Sequence, residues 1–173
     1  MKKLILSTIA AGSLFASNFI NLQITNDTLM TECQINIVEG QPFYARGGFL
    51  LNSDKSNFYY AGIKSEGQAV GIDLPLKFSL ILDFAHTKNN SALPIGLGAS
   101  GYLQQFSIPV FVRGEFEYAP KVLSFDDADK FWKIKVETGT QFIENGELFV
   151  GYRNISYDGN YDNSLYGGIG FSF

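Results

Sequence analysis

SLYGGIGFSF, from Ser164 to Phe173, is the stretch whose reading decides the fold. Leu165, Ile169, Phe171 and Phe173 share one face at intervals of two or four, while Gly168 and Gly170 fall on the other. That is the period of a β-strand, whose side chains point to opposite faces in turn. A terminal strand that alternates and closes on an aromatic residue also fits the recognition signal for assembly into a bacterial outer membrane. Phe171 and Phe173 would carry that signal.

Outward from this segment the same period recurs. It predicts ten strands, at about 18–25, 28–38, 42–52, 57–72, 76–87, 91–103, 107–120, 130–142, 147–157 and 164–173. In each, apolar residues take one face. Phe78, Leu80, Leu82 and Phe84 lie opposite Lys77, Ser79 and Asp83; Trp132, Ile134 and Val136 lie opposite Lys133, Lys135 and Glu137. Asn26-Asp27 marks a tight turn. A water-soluble sandwich would put the polar face outside, and a membrane barrel would put it in the lumen. Alternation alone fits both.

Four features favour the barrel. Most segments suit the roughly 9–11 residues that a tilted strand needs to cross a bilayer. Aromatic residues gather near strand ends, at Phe43, Tyr59, Tyr118, Trp132, Phe142 and Tyr152, as in the girdles of membrane barrels. Connections at 39–41, 73–75, 104–106 and 143–146 are short, whereas those at 52–56, 88–90, 121–129 and 158–163 include the longer ones. Finally, residues 1–16 read as a cleaved signal peptide, with Lys2 and Lys3 before the apolar run Leu4–Leu14. The expected domain organisation is therefore a signal peptide over 1–16 and an antiparallel transmembrane β-barrel over 17–173 in the outer membrane of a Gram-negative bacterium.

Composition agrees. Among 173 residues there are 18 Gly, 16 Phe and 9 Tyr, with only 17% charged, which suits strands more than helices. Once Lys2 and Lys3 are gone, 11 Lys and Arg face 17 Asp and Glu, a net charge of −6 that argues against nucleic acid as a partner. Cys33 is the single cysteine and cannot staple its own chain. The uncharged run from Asn89 to Val112 carries Pro94, Pro109, Gly96, Gly98 and Gly101 and reads as a hairpin, not a membrane helix.

The candidate site is the polar face. Arg46, Lys64, Lys77, Arg113, Lys133, Lys135 and Arg153 oppose Glu32, Glu66, Asp83, Glu115, Glu117 and Glu137, a near balance that predicts a network filling a narrow lumen. Barrels of about eight strands are filled by side chains and those of 16–18 leave a channel, so ten lie near the closed end. The alternative is a narrow pore for ions or very small solutes, with Gly48, Gly62, Gly96, Gly98, Gly168 and Gly170 leaving room inside, although the same glycines fit tight curvature of the strands equally well. Asp126, Asp127 and Asp129 form an acidic loop that is a candidate for a divalent cation or for cation bridges to lipopolysaccharide phosphates. It lacks the Gly and terminal Glu of a calcium loop, so a solvated loop is the plainer reading. His86, the single histidine, has Ser91 and Asp83 nearby, which raises an outer-membrane lipid-modifying enzyme as a third alternative. No phosphate-binding loop and no Cys/His set with metal-ligand spacing occurs, so no catalytic residue, resident metal or cofactor is expected.

Two stretches, EYAPKVLSFDDADKF (Glu117 to Phe131) and VGYRNI (Val150 to Ile155), together with the hairpin layout and terminal strand, resemble the YfaZ family of outer-membrane proteins. The resemblance extends over residues 17–173 and implies a small outer-membrane barrel. It carries over no catalytic or binding residues. The function expected is a structural or interaction role at the cell surface for a monomer. Its partners would be outer-membrane lipid, lipopolysaccharide and, during biogenesis, the barrel assembly machinery.

Overall fold

The computed structural model describes residues 18–68, 76–103, 108–157 and 159–173. The signal peptide and the turns at 73–75 and 104–106 lie outside the described residues. The strands are Asn18–Ile24 (β1), Thr28–Asn36 (β2), Phe43–Asn52 (β3), Phe58–Gln68 (β4), Leu76–His86 (β5), Asn90–Ala92 (β6), Ile95–Leu103 (β7), Val110–Ala119 (β8), Ser124–Asp126 (β9), Phe131–Ile143 (β10), Gly146–Tyr157 (β11) and Asn160–Ser172 (β12). Lys121–Leu123 makes one turn of 3₁₀ helix.

Ten of these strands form a closed antiparallel barrel. Each pairs with its neighbour in sequence, β5 pairs with β7, β8 pairs with β10, and β1 closes the ring on β12. Closure leaves no edge in the ten-stranded ring. At the seam Phe19 faces Ser172 and Ile24 faces Gly167. The Phe173 amide donates to the Asn18 carbonyl at 3.1 Å, so both lie at one end of the barrel, the termini end. The opposite end is the loop end.

Three boundaries differ from the sequence reading. The segment 91–103 is two strands, because Pro94 has no N–H for the ladder and turns the chain. The preceding piece, β6, pairs with β9 and lies on the end of β5. The acidic stretch 121–129 is consequently not an open loop but holds the 3₁₀ turn and β9. Lastly β12 starts at Asn160, so the connection at 158–163 is far shorter than the reading had it. Its polar residues resemble a loop in sequence, but Asp162 points inward to a partner on β11, Arg153.

The two faces of the wall are inverted relative to a soluble protein. Outside lie exposed Ile20, Phe49, Phe78, Leu80, Leu97, Phe116, Val136, Val150, Leu165 and Ile169, spread over the whole ring. Tyr118 and Trp132 are cross-strand neighbours near the loop end, and Phe142 and Phe171 are exposed near the termini end. Charged residues face inward and are buried, among them Arg46, Asp83, Glu117, Lys133 and Glu137.

The interior is not polar throughout. At the loop end Met30, Leu50, Phe58, Phe131 and Ile155 lose all contact with solvent and pack with Ala85, Ala119, Ala128 and Tyr157. The Phe58 and Phe131 rings stack 6.3 Å apart, and Tyr157 meets Phe131 at 4.7 Å. Each fully buried side chain of this kind contributes roughly 1.5–3 kcal/mol. These residues share strand parity with the charges, so they form an apolar plug on an otherwise polar face.

The inward glycines are seats, not open space. A Cβ on Gly48 would lie 2.4 Å from the Tyr60 ring, and one on Gly168 would lie 2.4 Å from the Phe149 ring. On Gly170 it would meet the Phe19 ring at 2.7 Å, and on Gly62 the Asp83 carboxylate at 2.2 Å. Rings and acid groups of neighbouring strands fill the room that the glycines vacate.

Candidate functional site: the barrel lumen

Below the apolar plug, the lumen is crossed by three linked groups of charges. The central group is built by β3, β4, β5, β8 and β10. The Arg46 guanidinium donates to Glu115 Oε2 at 3.1 Å and to Glu117 Oε1 at 3.4 Å, and its Nε lies 3.5 Å from Asp83. Lys133 Nζ sits 2.7 Å from Glu117, 3.8 Å from Asp83 and 3.9 Å from the centre of the Tyr60 ring. Tyr60 spans to the next group by donating its hydroxyl to Glu32 at 2.6 Å.

Glu32 is the most heavily solvated carboxylate by protein groups. Besides Tyr60 it accepts from Lys135 at 2.6 Å, Gln23 at 2.6 Å and Asn21 at 3.1 Å. Arg153, on β11, has no solvent exposure. It donates to Asp162 at 2.6 Å, Gln23 at 2.7 Å and Thr28 at 3.0 Å. A buried ion pair is tolerated when hydrogen bonds satisfy its remaining polar atoms, and this guanidinium meets that condition.

Toward the termini end Arg113 pairs with Glu137 and donates to Glu147 at 2.6 Å. Its guanidinium lies 4.7–5.2 Å from the ring centres of Phe111, Phe149 and Phe19. Tyr166 donates to Glu137 at 2.7 Å. On the facing wall Lys64 bridges Glu66 at 3.0 Å and Glu115 at 3.2 Å, and Lys77 lies 3.9 Å from Glu66. Among the described residues, seven luminal cations thus meet eight carboxylates, and every cation has an acid within 4.0 Å.

Sequence reasoning did not single out Tyr60, Gln23, Asn21, Tyr166, Glu147 or Asp162 as members. Parity offered a signal for most of them: Tyr60 alternates with the outward Tyr59, and Asn21 and Gln23 with Ile20, Leu22 and Ile24. A cavity of about 170 Å³ remains, lined by Phe19, Tyr44, Lys64, Phe111, Arg113 and Glu147 among others. It extends to Gln141, Asn145 and Ser172, so it opens at the termini end.

The other candidates lie at the loop end, outside the charged network of the lumen. The Asp126 carboxylate accepts from the Ser91 hydroxyl at 2.7 Å, while Asp129 pairs with Lys121. Among the described residues no three His, Cys, Asp or Glu side chains converge as a metal site. His86 Nδ1 is 2.7 Å from Ser91 Oγ. Asp83, which the sequence suggested as a third member, points into the lumen instead. The chain therefore runs His86–Ser91–Asp126 with the serine in the middle. The serine proton goes to the carboxylate, so the imidazole is not a base held by an acid, as a nucleophilic triad requires. What these bonds do is tie β6 and β9 to the end of β5.

No protein-family model matches the chain, and no curated protein does. Solved structures do. A KdgM porin matches with a TM-score of 0.52 at 9% identity, over 90% of this chain and 98% of that one. A KdgM porin in complex with disordered oligogalacturonate matches with a TM-score of 0.50 at 9% identity over the same shares. At this identity the likeness is one of fold.

Proposed function

We propose that this chain is a small outer-membrane β-barrel with a mostly filled lumen, acting in a structural or interaction role at the cell surface and catalysing no reaction. The observation that carries the reading is the inverted wall: charge inside and a continuous apolar surface outside. A contiguous exposed apolar surface of this extent needs an apolar partner, and lipid covers a closed barrel on all sides. The barrel likeness to porins supports the outer membrane as its location. On this reading the loop end faces outward and the termini end faces the periplasm. Lipid and lipopolysaccharide are then its surroundings, the assembly machinery reads Phe171 and Phe173, and the protein works as a monomer. The YfaZ resemblance of Glu117–Phe131 and Val150–Ile155 agrees with such a barrel and belongs to this proposal.

The second reading, a narrow pore, is favoured by one observation, that the neighbours of this fold are porins. Against it stand the buried plug and the paired lumen. Single-channel recording of the refolded chain in a planar bilayer separates the two. The expected record shows no discrete openings from protein whose fold is verified by heat-modifiable migration. Reproducible openings would make the barrel a pore.

A further inference from the structure

The cavity at the termini end is blind. Its far wall is the layer of Glu32, Arg46, Tyr60 and Lys135, and beyond that lies the plug, whose five large side chains have no solvent exposure. A solute can enter this space from one side only and must leave the same way. Such a space serves retention, not passage. By water-sized volume it accommodates roughly a dozen waters, or a solute of about ten non-hydrogen atoms.

The charges select what can stay. An anion must draw its counter-ion out of an existing luminal pair and strand a carboxylate in a poorly solvated site, while a lone cation gains only Glu147, which shares Arg113 with Glu137, and leaves the guanidinium side of the cavity unused. A ligand that carries both signs can instead lie antiparallel beside an intact pair, closing a ring of four charges and breaking none. Only a pair with both members open to the cavity can accept it so. Lys64 and Glu66 also line the cavity, at 14% and 12% exposure, and Arg113 and Glu147 are the most open such pair. Their side chains are 23% and 16% exposed, the most accessible cation and carboxylate among the luminal pairs, and they are hydrogen-bonded to each other. Phe19, Phe111 and Tyr102 line the same part of the cavity and offer an apolar surface to the rest of the solute.

We propose that this cavity binds a small zwitterion of amino-acid size, its carboxylate against Arg113, its ammonium against Glu147 and its apolar part against the Phe19, Phe111 and Tyr102 rings. That the cavity faces the periplasm rests on the membrane reading above; the site itself rests on the lumen geometry alone.

Titration calorimetry on the refolded full chain in detergent micelles tests it with four probes: leucine, leucine methyl ester, N-acetyl-leucine and glucose. Saturable binding of leucine is expected, at least tenfold tighter than of the ester, the acetylated form or glucose. Glu147→Gln, with folding checked by heat-modifiable migration, should reverse the preference so that N-acetyl-leucine binds more tightly than leucine. A purely structural Glu147 would weaken all four probes alike. Glu147→Asp serves if the glutamine variant does not fold, and should keep the preference for leucine. Absence of saturable binding, equal binding of the singly charged analogues, or a preference for glucose overturns the proposal. Channel openings together with selective leucine binding would refute the closed-barrel function and leave the site standing. Electrical silence without binding would refute the site alone.

Discussion

Arg153 is the residue on which the loop-end half of the lumen turns. Its guanidinium is sealed from solvent and shares its hydrogens among Asp162, Gln23 and Thr28, on three different strands. Arg153→Met should destabilise the barrel by about 3–5 kcal/mol, because Asp162 is left buried without its cation. Adding Asp162→Asn should recover part of the loss, and urea unfolding of both variants reads the difference. An unchanged midpoint for the single variant would mean that the pair contributes nothing. On the outer face the rule reverses. Val112→Arg, at a position exposed on the apolar side, should weaken insertion by about 2–4 kcal/mol if it lies near the bilayer midplane. Period-2 parity was enough to separate these two residues into opposite faces. It could not say that Lys135 would meet Glu32, which lies 103 positions away, or that Glu32 would draw in Tyr60 and Gln23. Pairing across a lumen depends on which strands the closed ring sets opposite each other, and one strand's sequence holds no record of that.

At the scale of strands, register is pinned by aromatic rings lying over glycines of the neighbouring strand. Phe149 of β11 covers Gly168 of β12 directly opposite it, and Tyr60 of β4 covers Gly48 of β3 in the same way. Close ring–glycine packing of this kind holds a strand against slippage, since a shift by one residue would turn each ring to the opposite face of the wall. Gly168→Ala places its Cβ 2.4 Å from the ring and 2.7 Å from the Leu22 carbonyl across the seam. It should cost about 1–3 kcal/mol as an overpacked contact. Combining it with Phe149→Leu should restore some stability, and a failure to do so in thermal unfolding would locate the clash in the backbone instead. The sequence showed these glycines on the inner face but left open whether they made space or curvature. Their role depends on ring positions in the adjacent strand. The same limit explains the misread segments. Pro94 breaks 91–103 into two strands by a missing N–H, a local rule that alternation overrode. Residues 160–163 read as loop because Asp162 is polar, and its partner on β11 could be seen only after folding.

For the molecule as a whole, the decisive feature is that two unlike layers block the lumen in series. The apolar plug at the loop end excludes water, and a layer of matched ions beneath it leaves each cation already neutralised. A mobile ion would have to pass both, giving up its hydration at the first and displacing a buried partner at the second. The balanced polar face follows from alternation summed over ten strands, whereas closure and the inverted wall were readable only with the strand lengths, the aromatic girdles and the terminal strand added, because alternation by itself fits a soluble sandwich as well. The plug was not, because Met30, Leu50, Phe58, Phe131 and Ile155 carry the parity of the charges and each looks like an isolated exception on its own strand. They form a layer only when the ring brings them to one height. The two layers can be tested apart. Phe58→Ala with Phe131→Ala removes the stacked pair at the centre of the plug and exposes the ion layer to the loop end. If the plug is the main barrier, this variant opens discretely in a planar bilayer where the native chain is silent. If it remains silent while folded, the ion layer is the seal, and adding Lys133→Met with Glu117→Gln should then produce the openings that the first pair of changes did not.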